Sequence, residues 1–567
     1  MKFIAFHSED PRVLQALELD LLTSRQFDWV GRPHNSGWVV AHSGLSPLDR
    51  RDNTFFVEGG ERLADVGSEE LARRARDSSL RTLPGDFTYA CFPSQTEACF
   101  VRSVAGTAPL FVWHGSSALG VASRLTDLTR YLPEEPRLDH LAIAILIRFA
   151  FMPPAGRTPL EAVSLLEYGA SLQWSSGRGF RSKRWWYPPR GELPAGARFA
   201  EHAVELRSML LDGLERSLDK AGRNLLTLSG GFDSSALAWA AGDALGREFS
   251  TLNLAPRGGP ELLEMRSQVD RIFADLGPRV RRRWERELSP EARLEYLRDA
   301  PRVVWPVVHP ALCVLPAIAA ETKLLCMFGG EGCDEQLGGG PALTDWASSA
   351  SLATAARRFP AAFSRTAAIG YWGRVRARRI LHRSGLKSSL APPSFLAPAL
   401  RAEYLENARQ EQGAFSRDGS ERPYLSHRVH HSAAATVQNW EVCSALGLRR
   451  YFPFFNRDVL ELAYRCDPTE LTGQHPKRLV RAAVRGIAPD YLFDVQKLRW
   501  HDPPVRLPWT DRLPEELAGI VREDWLEHPP SSLDAQDALR LRALLNIILA
   551  VRTCRIEQRE SSHVERA

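Results

Sequence analysis

The chain has 567 residues, of which 44% are hydrophobic and 25% are charged, and its formal net charge is +5. One hydrophobic core does not support a chain of this length, so we expect two or more domains. The composition excludes a largely disordered chain, and so mild a positive charge does not by itself indicate a nucleic-acid-binding protein.

The cysteines and the N-terminus predict the cellular compartment. The eight cysteines form no CxxC pair and show no zinc-ligand spacing, and most lie in apolar runs, so we expect buried thiols in a reducing compartment. The first ten residues lack the apolar core of a secretory signal, and the apolar runs at 141–147 and 541–551 are short and end at or contain polar residues. We therefore expect a cytoplasmic enzyme without a membrane span.

The predicted elements change in character along the chain. Up to about residue 187, short apolar runs such as 86–92, 98–104 and 110–114 predict antiparallel strands. The Pro- and Gly-rich segment 188–196 predicts a linker. From His202 onward, helical segments alternate with apolar runs at 225–228, 250–254 and 324–328, which predicts a parallel sheet that binds ligand at the carboxyl ends of its strands.

Beyond Gly340 the sequence is predicted to be helical and is rich in Ala and Arg. Residues 371–383 (YWGRVRARRILHR) predict a basic amphipathic helix. This helix is either a solvated surface or a docking surface for an acidic or extended partner.

The first chemical motif follows the strand at 225–228 and reads Ser-Gly-Gly-Phe-Asp-Ser-Ser over residues 229–235, leading into a helix. Glycines permit a tight turn and a helix N-terminus favours anions, so the segment predicts a pyrophosphate-binding loop. A Walker loop would need GxxxxGK[ST], whereas the charged residue here is Asp233, a residue suited to holding a metal ion. The segment resembles the SGGxDS loop of PP-loop enzymes, which cleave ATP to AMP and pyrophosphate. The alternative is a Ser/Gly turn that only caps the helix.

The second motif, GGEGCDEQLGG at residues 329–339, follows the strand at 324–328. Its acidic residues would be costly to bury without a cation. We predict that Asp233 and Asp334 face each other at the sheet edge and bind Mg²⁺ that bridges the phosphates of ATP. The alternative is a solvent-exposed acidic turn.

With these two motifs the chain resembles the asparagine synthetase superfamily, whose members carry SGGxDSS and GEGxDExxGG. The resemblance covers most of the chain. Two segments are similar to the family's N-terminal domain: residues 84–87 (PGDF) and 184–188 (RWWYP). Three later segments are similar to its synthetase domain: residues 453–456 (PFFN), 475–481 (HPKRLVR) and 496–499 (QKLR). The resemblance implies an α/β protein. Residues 1–190 are expected to form a glutaminase-like (Ntn-type) α+β sandwich, and residues 198–567 a PP-loop parallel-sheet α/β synthetase domain with helical additions.

Two departures from the family pattern narrow the expected activity. Glutamine-dependent members begin Met-Cys and use that cysteine to release ammonia, whereas this chain has Lys2, so we expect a degenerate domain that does not hydrolyse glutamine. Arg449 stands where the family has a glutamate before PFLD, which leaves the acid/base residue open. Members without the cysteine include β-lactam, carbapenam and lasso peptide macrolactam synthetases, in which the substrate supplies the amine. We favour the lasso cyclase because the added helical sequence, the basic segment 371–383 and the tail beyond Lys497 provide material to enclose a peptide.

The resemblance also implies roles for individual residues. Backbone groups at four positions are expected to contact the nucleoside: Leu228, Asn253, Gly329 and Gly330. The phosphates are expected to be held at Ser229, Gly230, Gly231, Asp233, Ser234 and Ser235. Lys477 either pairs with phosphate or is solvated. Asp233 and Asp334 are the expected metal ligands, and Asp233 is also counted as catalytic. Lys497 is expected to stabilise charge on the acyl-adenylate and the tetrahedral species, and Glu331 to position or deprotonate the amine.

The predicted reaction is ATP-dependent macrolactam formation, with ATP and Mg²⁺ as cofactors. An Asp or Glu side chain of a ribosomal peptide is adenylated, and the peptide α-amine then forms an isopeptide bond, giving a lasso peptide, AMP and pyrophosphate. The expected partners are a precursor peptide and, by resemblance alone, a leader peptidase and a leader-binding protein, with no nucleic acid.

Four alternatives remain open. Two are an ammonia-dependent asparagine synthetase and a β-lactam synthetase-like cyclase of small molecules. The third is a tRNA-modifying enzyme, although such enzymes place the SGGxDS loop near the N-terminus. The fourth is a non-catalytic scaffold, against which the two acidic phosphate motifs argue.

Overall fold

The structure is a computed structural model that describes residues 2–132 with short gaps, 156–187, 199–255, 260–287, 309–338, 436–471 and 476–494, with a few isolated positions besides. The basic segment 371–383 lies outside the described residues except for Trp372 and Gly373. Lys497, the tail that follows it and nearly all of the expected linker lie outside them as well.

The N-terminal part contains two six-stranded antiparallel sheets. The first is built from β1 (Lys2–Ser8), β2 (Trp29–Gly31), β3 (Trp38–Ser43), β8 (Phe111–His114), β9 (Ala118–Ala122) and β10 (Val163–Leu165), in the order β10-β8-β9-β1-β3-β2. The second is built from β4 (Arg50–Arg51), β5 (Thr54–Glu58), β6 (Thr88–Ser94), β7 (Glu97–Arg102), β11 (Ala170–Ser175) and β12 (Gly179–Arg184), in the order β12-β11-β7-β6-β5-β4. The expectation of antiparallel strands is confirmed.

A hydrophobic core joins the two sheets. Phe3 and Trp38 of the first sheet and Phe92 and Phe100 of the second belong to one buried cluster. The alternate residues of the second sheet, such as Tyr89, point to its other face and pack with helix α2 (Ser68–Asp77). Helix α1 (Pro11–Thr23) packs against the first sheet, and the short helix α3 (Leu125–Arg130) follows β9. This part is therefore an α+β sandwich.

The second part is built on a five-stranded sheet in which every neighbouring pair is parallel. Its strands are β13 (Asn224–Thr227), β14 (Phe249–Ala255), β15 (Val280–Glu287), β16 (Cys326–Gly329) and β17 (Arg449–Tyr451), in the order β15-β14-β13-β16-β17. The helices are α4 (Phe199–Ser217), α5 (Phe232–Trp239), α6 (Pro260–Leu276), α7 (Pro310–Glu321), α8 (Arg457–Arg465), α9 (Pro468–Leu471) and α10 (Arg478–Val484), with a further helical segment at 436–445. The predicted α/β fold with a parallel sheet is confirmed.

The central strand β13 shows why its sequence is a continuous apolar run. Leu226 packs in a cluster with Leu210 of α4 and Ala236 of α5 on one face of the sheet. Leu225 packs in a different cluster with Leu312 of α7 on the other face. A strand covered by helices on both faces needs apolar residues at consecutive positions, as in buried parallel sheets generally.

The two parts contact each other through segments noted in the sequence. Asp86 of the PGDF segment accepts a hydrogen bond from the backbone N–H of Arg457, at 2.9 Å. The indole N–H of Trp186 in the RWWYP segment donates to Glu461 of α8, at 3.1 Å. These two segments of the N-terminal part therefore position α8 of the parallel-sheet part.

A buried glutamate lies at a second contact between the parts. Glu441, in the helical segment 436–445, accepts a hydrogen bond from the backbone N–H of Leu125, at 2.8 Å. Its other carboxylate oxygen is buried and has no hydrogen-bond partner among the described residues. Burial raises the pKa of Glu441 to about 7, although the nearby Arg124 opposes the shift.

Seven cysteines lie in the described part of the chain, and all are buried and free of disulfides: Cys91, Cys99, Cys313, Cys326, Cys333, Cys443 and Cys466. The expectation of buried thiols is confirmed for these seven. Within the described ranges, we find no helix with both the length and the apolar character needed to cross a bilayer.

Candidate functional site

The loop after β13 is held in shape by its own serines. Gly230 has φ +74°, a left-handed conformation that suits glycine. The backbone N–H of Ser229 donates to Ser234 Oγ at 3.1 Å, and Ser235 Oγ donates to the carbonyl of Gly231, the N-cap of α5, at 2.7 Å. The first N–H groups of α5 lack acceptors within the helix, so the loop presents backbone donors suited to an anion.

Two glycines at the end of β16 allow this loop and the second motif to approach closely. A Cβ atom at Gly330 would lie 2.8 Å from Asp233 Cβ and 3.1 Å from the backbone nitrogen of Ser234. A Cβ atom at Gly329 would overlap Thr227 Oγ1 and the Glu331 carboxylate. Glycine is needed at both positions because the two adjacent strand ends meet there.

Asp233 and Asp334 share one lysine. Lys477 Nζ lies 2.5 Å from Asp233 Oδ2 and 2.9 Å from Asp334 Oδ1. The side chains of Lys477 and Asp233 are 9% and 17% exposed, whereas that of Asp334 is 39% exposed. Lys477 precedes α10 with φ +64°, an unfavourable backbone conformation for a residue with a side chain. The structure therefore brings together the two predicted metal ligands and the lysine of the HPKRLVR segment.

The charges in this cluster perturb one another. Burial raises the pKa of Asp233, and Lys477 opposes that shift. Burial alone would lower the pKa of Lys477, but the acidic groups beside it, Asp233 and Asp334 among them, raise it above its ordinary value, so the lysine stays charged. The second oxygen of Asp233, Oδ1, is buried without a hydrogen-bond partner among the described residues. Two carboxylates with an unsatisfied oxygen are a donor set that fits Mg²⁺.

Cys333 is a site residue that the sequence reasoning missed. Its buried thiol lies beside the Asp233 carboxylate and helps to hold down the pKa that burial raises there. Burial raises the pKa of Cys333 itself well above its ordinary value, so it remains a thiol. Its position beside Asp334 in the second motif was the available signal.

Arg450 is a second residue that was missed. The Arg450 side chain is fully buried. Its guanidinium forms an ion pair with Glu331 Oε1 and donates a hydrogen bond to Asn439 Oδ1 at 3.1 Å. Burial raises the pKa of Glu331, but Arg450 and then His309 lower it by more, so the net pKa lies below the ordinary value. The other oxygen, Oε2, is buried and has no hydrogen-bond partner in the described part of the chain. Glu331 is therefore an ionised carboxylate with one oxygen available.

More than half of this chain matches one known protein family. Residues 205–550 match the family described as asparagine synthase. The chain belongs to the asparagine synthase family. Membership makes it an enzyme of the ATP-dependent amide-bond ligase type, and members of this family typically use ATP with Mg²⁺. No curated protein matches the chain.

Two of the solved structures similar to this asparagine synthase-family chain each match about half of it. One is described as the allosteric regulatory enzyme of purine biosynthesis; it is 13% identical, and the match covers 51% of this chain and 81% of the other with a TM-score of 0.22. The other is glutamine phosphoribosylpyrophosphate amidotransferase from B. subtilis, which is 12% identical, with 52% and 92% covered and a TM-score of 0.22.

The remaining predicted residues of this asparagine synthase-family chain lie beside the loop or outside the described ranges. Asn253 is buried at the end of β14, and its amide donates to the carbonyl of Leu228 at 2.6 Å. It thereby fixes the start of the loop, and its contact with a nucleoside stays a prediction. Arg449, noted as replacing the family glutamate, is exposed, whereas the next residue, Arg450, points inward. Lys497 lies outside the described residues.

Proposed function

We propose that this protein uses ATP to close a macrolactam ring in a ribosomal peptide. The carboxylate of an Asp or Glu side chain attacks the α-phosphorus of ATP and pyrophosphate leaves. The peptide α-amine then attacks the acyl-adenylate, loses a proton and displaces AMP, so the peptide loses the elements of one water. The observation that carries this proposal is the contact of Asp233 and Asp334, from adjacent strand ends, with the single ammonium of Lys477.

This cluster adjoins the anion-binding loop, because Asp233 lies in the first turn of α5. Phosphates held by the N–H groups of that turn would face two carboxylates, an arrangement that requires cations between them. Asp233 offers its unpartnered Oδ1, and Asp334 is exposed enough to be reached. Mg²⁺ held by these two residues would neutralise negative charge on the departing pyrophosphate.

Lys477 is proposed to stabilise negative charge on the reacting groups. A lysine that is 9% exposed and remains charged acts in a water-poor environment, where an ammonium stabilises developing charge more strongly than in water. Its position between the two acids orients the side chain before substrate binds. Lys497, to which the sequence assigned this role, is kept as a second proposed cation.

Glu331 is proposed to receive the proton of the attacking amine. Its lowered pKa keeps it ionised at neutral pH, and its Oε2 is available to accept an N–H. Arg450 acts as a positioning residue because it holds the opposite oxygen of the same carboxylate. A general base must be ionised and within hydrogen-bond reach of the proton that it removes.

The proposed amine donor is the substrate itself. The first strand, β1, reads KFIAFHS and carries no thiol for releasing ammonia from glutamine. Binding both ends of one peptide makes amide formation intramolecular, which contributes on the order of 7 kcal/mol when the geometry is good. An enzyme of this type needs no separate ammonia source.

The experiment uses synthetic peptides with a free α-amine and an Asp or Glu several residues later, together with ATP and Mg²⁺. We expect a product lighter by one water and exchange of labelled pyrophosphate into ATP. An N-acetylated peptide should support exchange without cyclisation, and a peptide with Asn or Gln at the acidic position should support neither. Failure of exchange with every acidic peptide would refute the proposal. Asparagine formed from aspartate, ammonia and ATP would instead identify an ammonia-dependent asparagine synthetase.

A further inference from the structure

Three buried side chains converge at a place separate from the nucleotide loop. His202 lies in α4, Cys466 follows the last residue of α8, and Glu470 lies in α9. Their possible ligand atoms all lie within 4.8 Å of one another. His202 Nδ1 is 2.9 Å from Glu470 Oε2 and 3.6 Å from Cys466 Sγ. We propose that these three residues bind a structural transition-metal ion, for which Zn²⁺ is the best match.

The three groups can each turn a lone pair toward a shared cation. The Nδ1 atom of a neutral histidine is an acceptor when its hydrogen is on Nε2. That nitrogen, the Cys466 thiolate and a Glu470 carboxylate oxygen would all interact favourably with a cation placed between them. The backbone N–H of Asp467 donates to Glu470 Oε2 at 3.2 Å and orients that oxygen.

The donor set and the spacing suit zinc. One nitrogen, one sulfur and one oxygen are the ligand types of tetrahedral zinc sites, whereas Mg²⁺ prefers oxygen alone. Tetrahedral bonds of about 2.0 Å to nitrogen and 2.3 Å to sulfur separate those two atoms by about 3.5 Å. The 3.6 Å between His202 Nδ1 and Cys466 Sγ agrees with this, and the 2.9 Å between His202 Nδ1 and Glu470 Oε2 would widen to about 3.3 Å around a bound ion. Three protein ligands leave one position for a fourth donor.

The ion would connect helices that frame the nucleotide site. Arg207, in the same helix as His202, donates hydrogen bonds to the carbonyls of Ala483 and Arg485 at the end of α10. Helix α10 begins directly after Lys477. A metal ion between α4 and the turn that joins α8 to α9 would hold α4 in place. Because α4 in turn holds the end of α10, the ion would help to keep Lys477, at the start of α10, in position. His202 lies 264 residues before Cys466 and 268 residues before Glu470, which is why the sequence shows no spacing typical of a zinc site.

The experiment uses the full chain, reduced and freed of metal by a chelator, and then titrated with Co²⁺ or Zn²⁺. We expect one Zn²⁺ per chain and, with Co²⁺, a thiolate-to-cobalt absorption band. Cys466→Ser should abolish the band. Cys333→Ser is the matched control because its thiol lies beside Asp233 at the nucleotide site, and this variant should keep the band. The opposite pattern would mean that the ion sits at the nucleotide site, and it would overturn the proposal.

Two further measurements keep the test decisive if Cys466→Ser misfolds. His202→Gln retains a hydrogen-bonding side chain, and we expect it to weaken Zn²⁺ binding by about 100-fold or more. Saturating MgATP should leave the cobalt band of the unaltered protein in place. Absence of the band from the unaltered protein, or loss of the band on addition of MgATP, would refute the site.

Discussion

Lys477→Met tests the charge arrangement of the site most directly. Methionine retains most of the length of the lysine side chain and removes the ammonium that contacts Asp233 at 2.5 Å and Asp334 at 2.9 Å. The two carboxylates then face each other without that cation. The substitution therefore affects both the stability of the fold and the proposed chemistry, and the two effects can be separated.

The expected loss of stability follows from the burial of each partner. Breaking a buried ion pair costs about 3–5 kcal/mol, because a charge is left buried and unpaired. The side chain of Asp233 is only 17% exposed, so its pair with Lys477 accounts for most of the loss. Asp334 is 39% exposed, and its pair adds less than about 1 kcal/mol. We expect a decrease near the lower limit, about 3 kcal/mol, in denaturant unfolding without Mg²⁺.

Mg²⁺ should rescue stability but not turnover. A divalent cation on the two carboxylates replaces the missing positive charge, so the unfolding midpoint of Lys477→Met should return toward that of the unaltered protein. Pyrophosphate release should remain about 100- to 1,000-fold slower, the usual effect of removing one group that stabilises transition-state charge. Turnover within about threefold of the unaltered enzyme would refute the role of Lys477. Lys323→Met, which alters an exposed lysine just before β16, should change neither quantity.

Three further predictions concern other parts of the molecule. Asp334→Asn leaves the more buried ion pair intact, so we expect an almost unchanged melting temperature with loss of pyrophosphate release; retained release would contradict the metal assignment. Gly230→Ala, at φ +74°, should cost at least about 1 kcal/mol and abolish activity, whereas Gly177→Ala, at φ +82° in open space, should carry a similar cost with full activity. The folded pKa of Glu441 is about 7 against 4.5 ordinarily, so stability should fall as pH rises between these values. Glu441→Gln should remove that loss, so at pH 8 its free energy of unfolding should be about 3 kcal/mol higher than that of the unaltered protein, with no such gain at pH 4. The same dependence of unfolding free energy on pH in both proteins would contradict this.

Local sequence patterns predict the elements and the position of the two motifs well. The apolar runs at 225–228, 250–254 and 324–328 correspond to β13, β14 and β16, with ends that differ by one or two residues. Both motifs directly follow strands, and β13 and β16 are neighbours in the sheet. The adjacency of Asp233 and Asp334 was therefore predictable, because carboxyl ends of neighbouring parallel strands lie at one edge.

Contacts that depend on docking between distant elements were not predictable in the same way. Lys477 lies 244 residues from Asp233, and its segment alone was compatible with a solvated side chain. Arg450 follows the noted Arg449, but only the alternation along β17 decides which of the two points inward. The cluster of His202, Cys466 and Glu470 likewise joins three separate helical segments. For Lys477 and for this cluster, the tertiary packing of helices sets the contact, and no local periodicity encodes it.

The N-terminal part contributes to the site through α8, whatever chemistry it performs itself. Asn456 stands where the family motif has aspartate, and its side chain still caps α8 by accepting from the backbone N–H of Val459 at 3.0 Å. The next residue, Arg457, donates its backbone N–H to Asp86 of the N-terminal part, so the start of α8 is fixed from both sides. Val459 and Leu462 of α8 lie in the same buried cluster as Leu479 and Val480 of α10, the helix that begins directly after Lys477. By holding the start of α8, the N-terminal part also supports the helix beside the lysine, which gives it a positional role independent of glutamine hydrolysis.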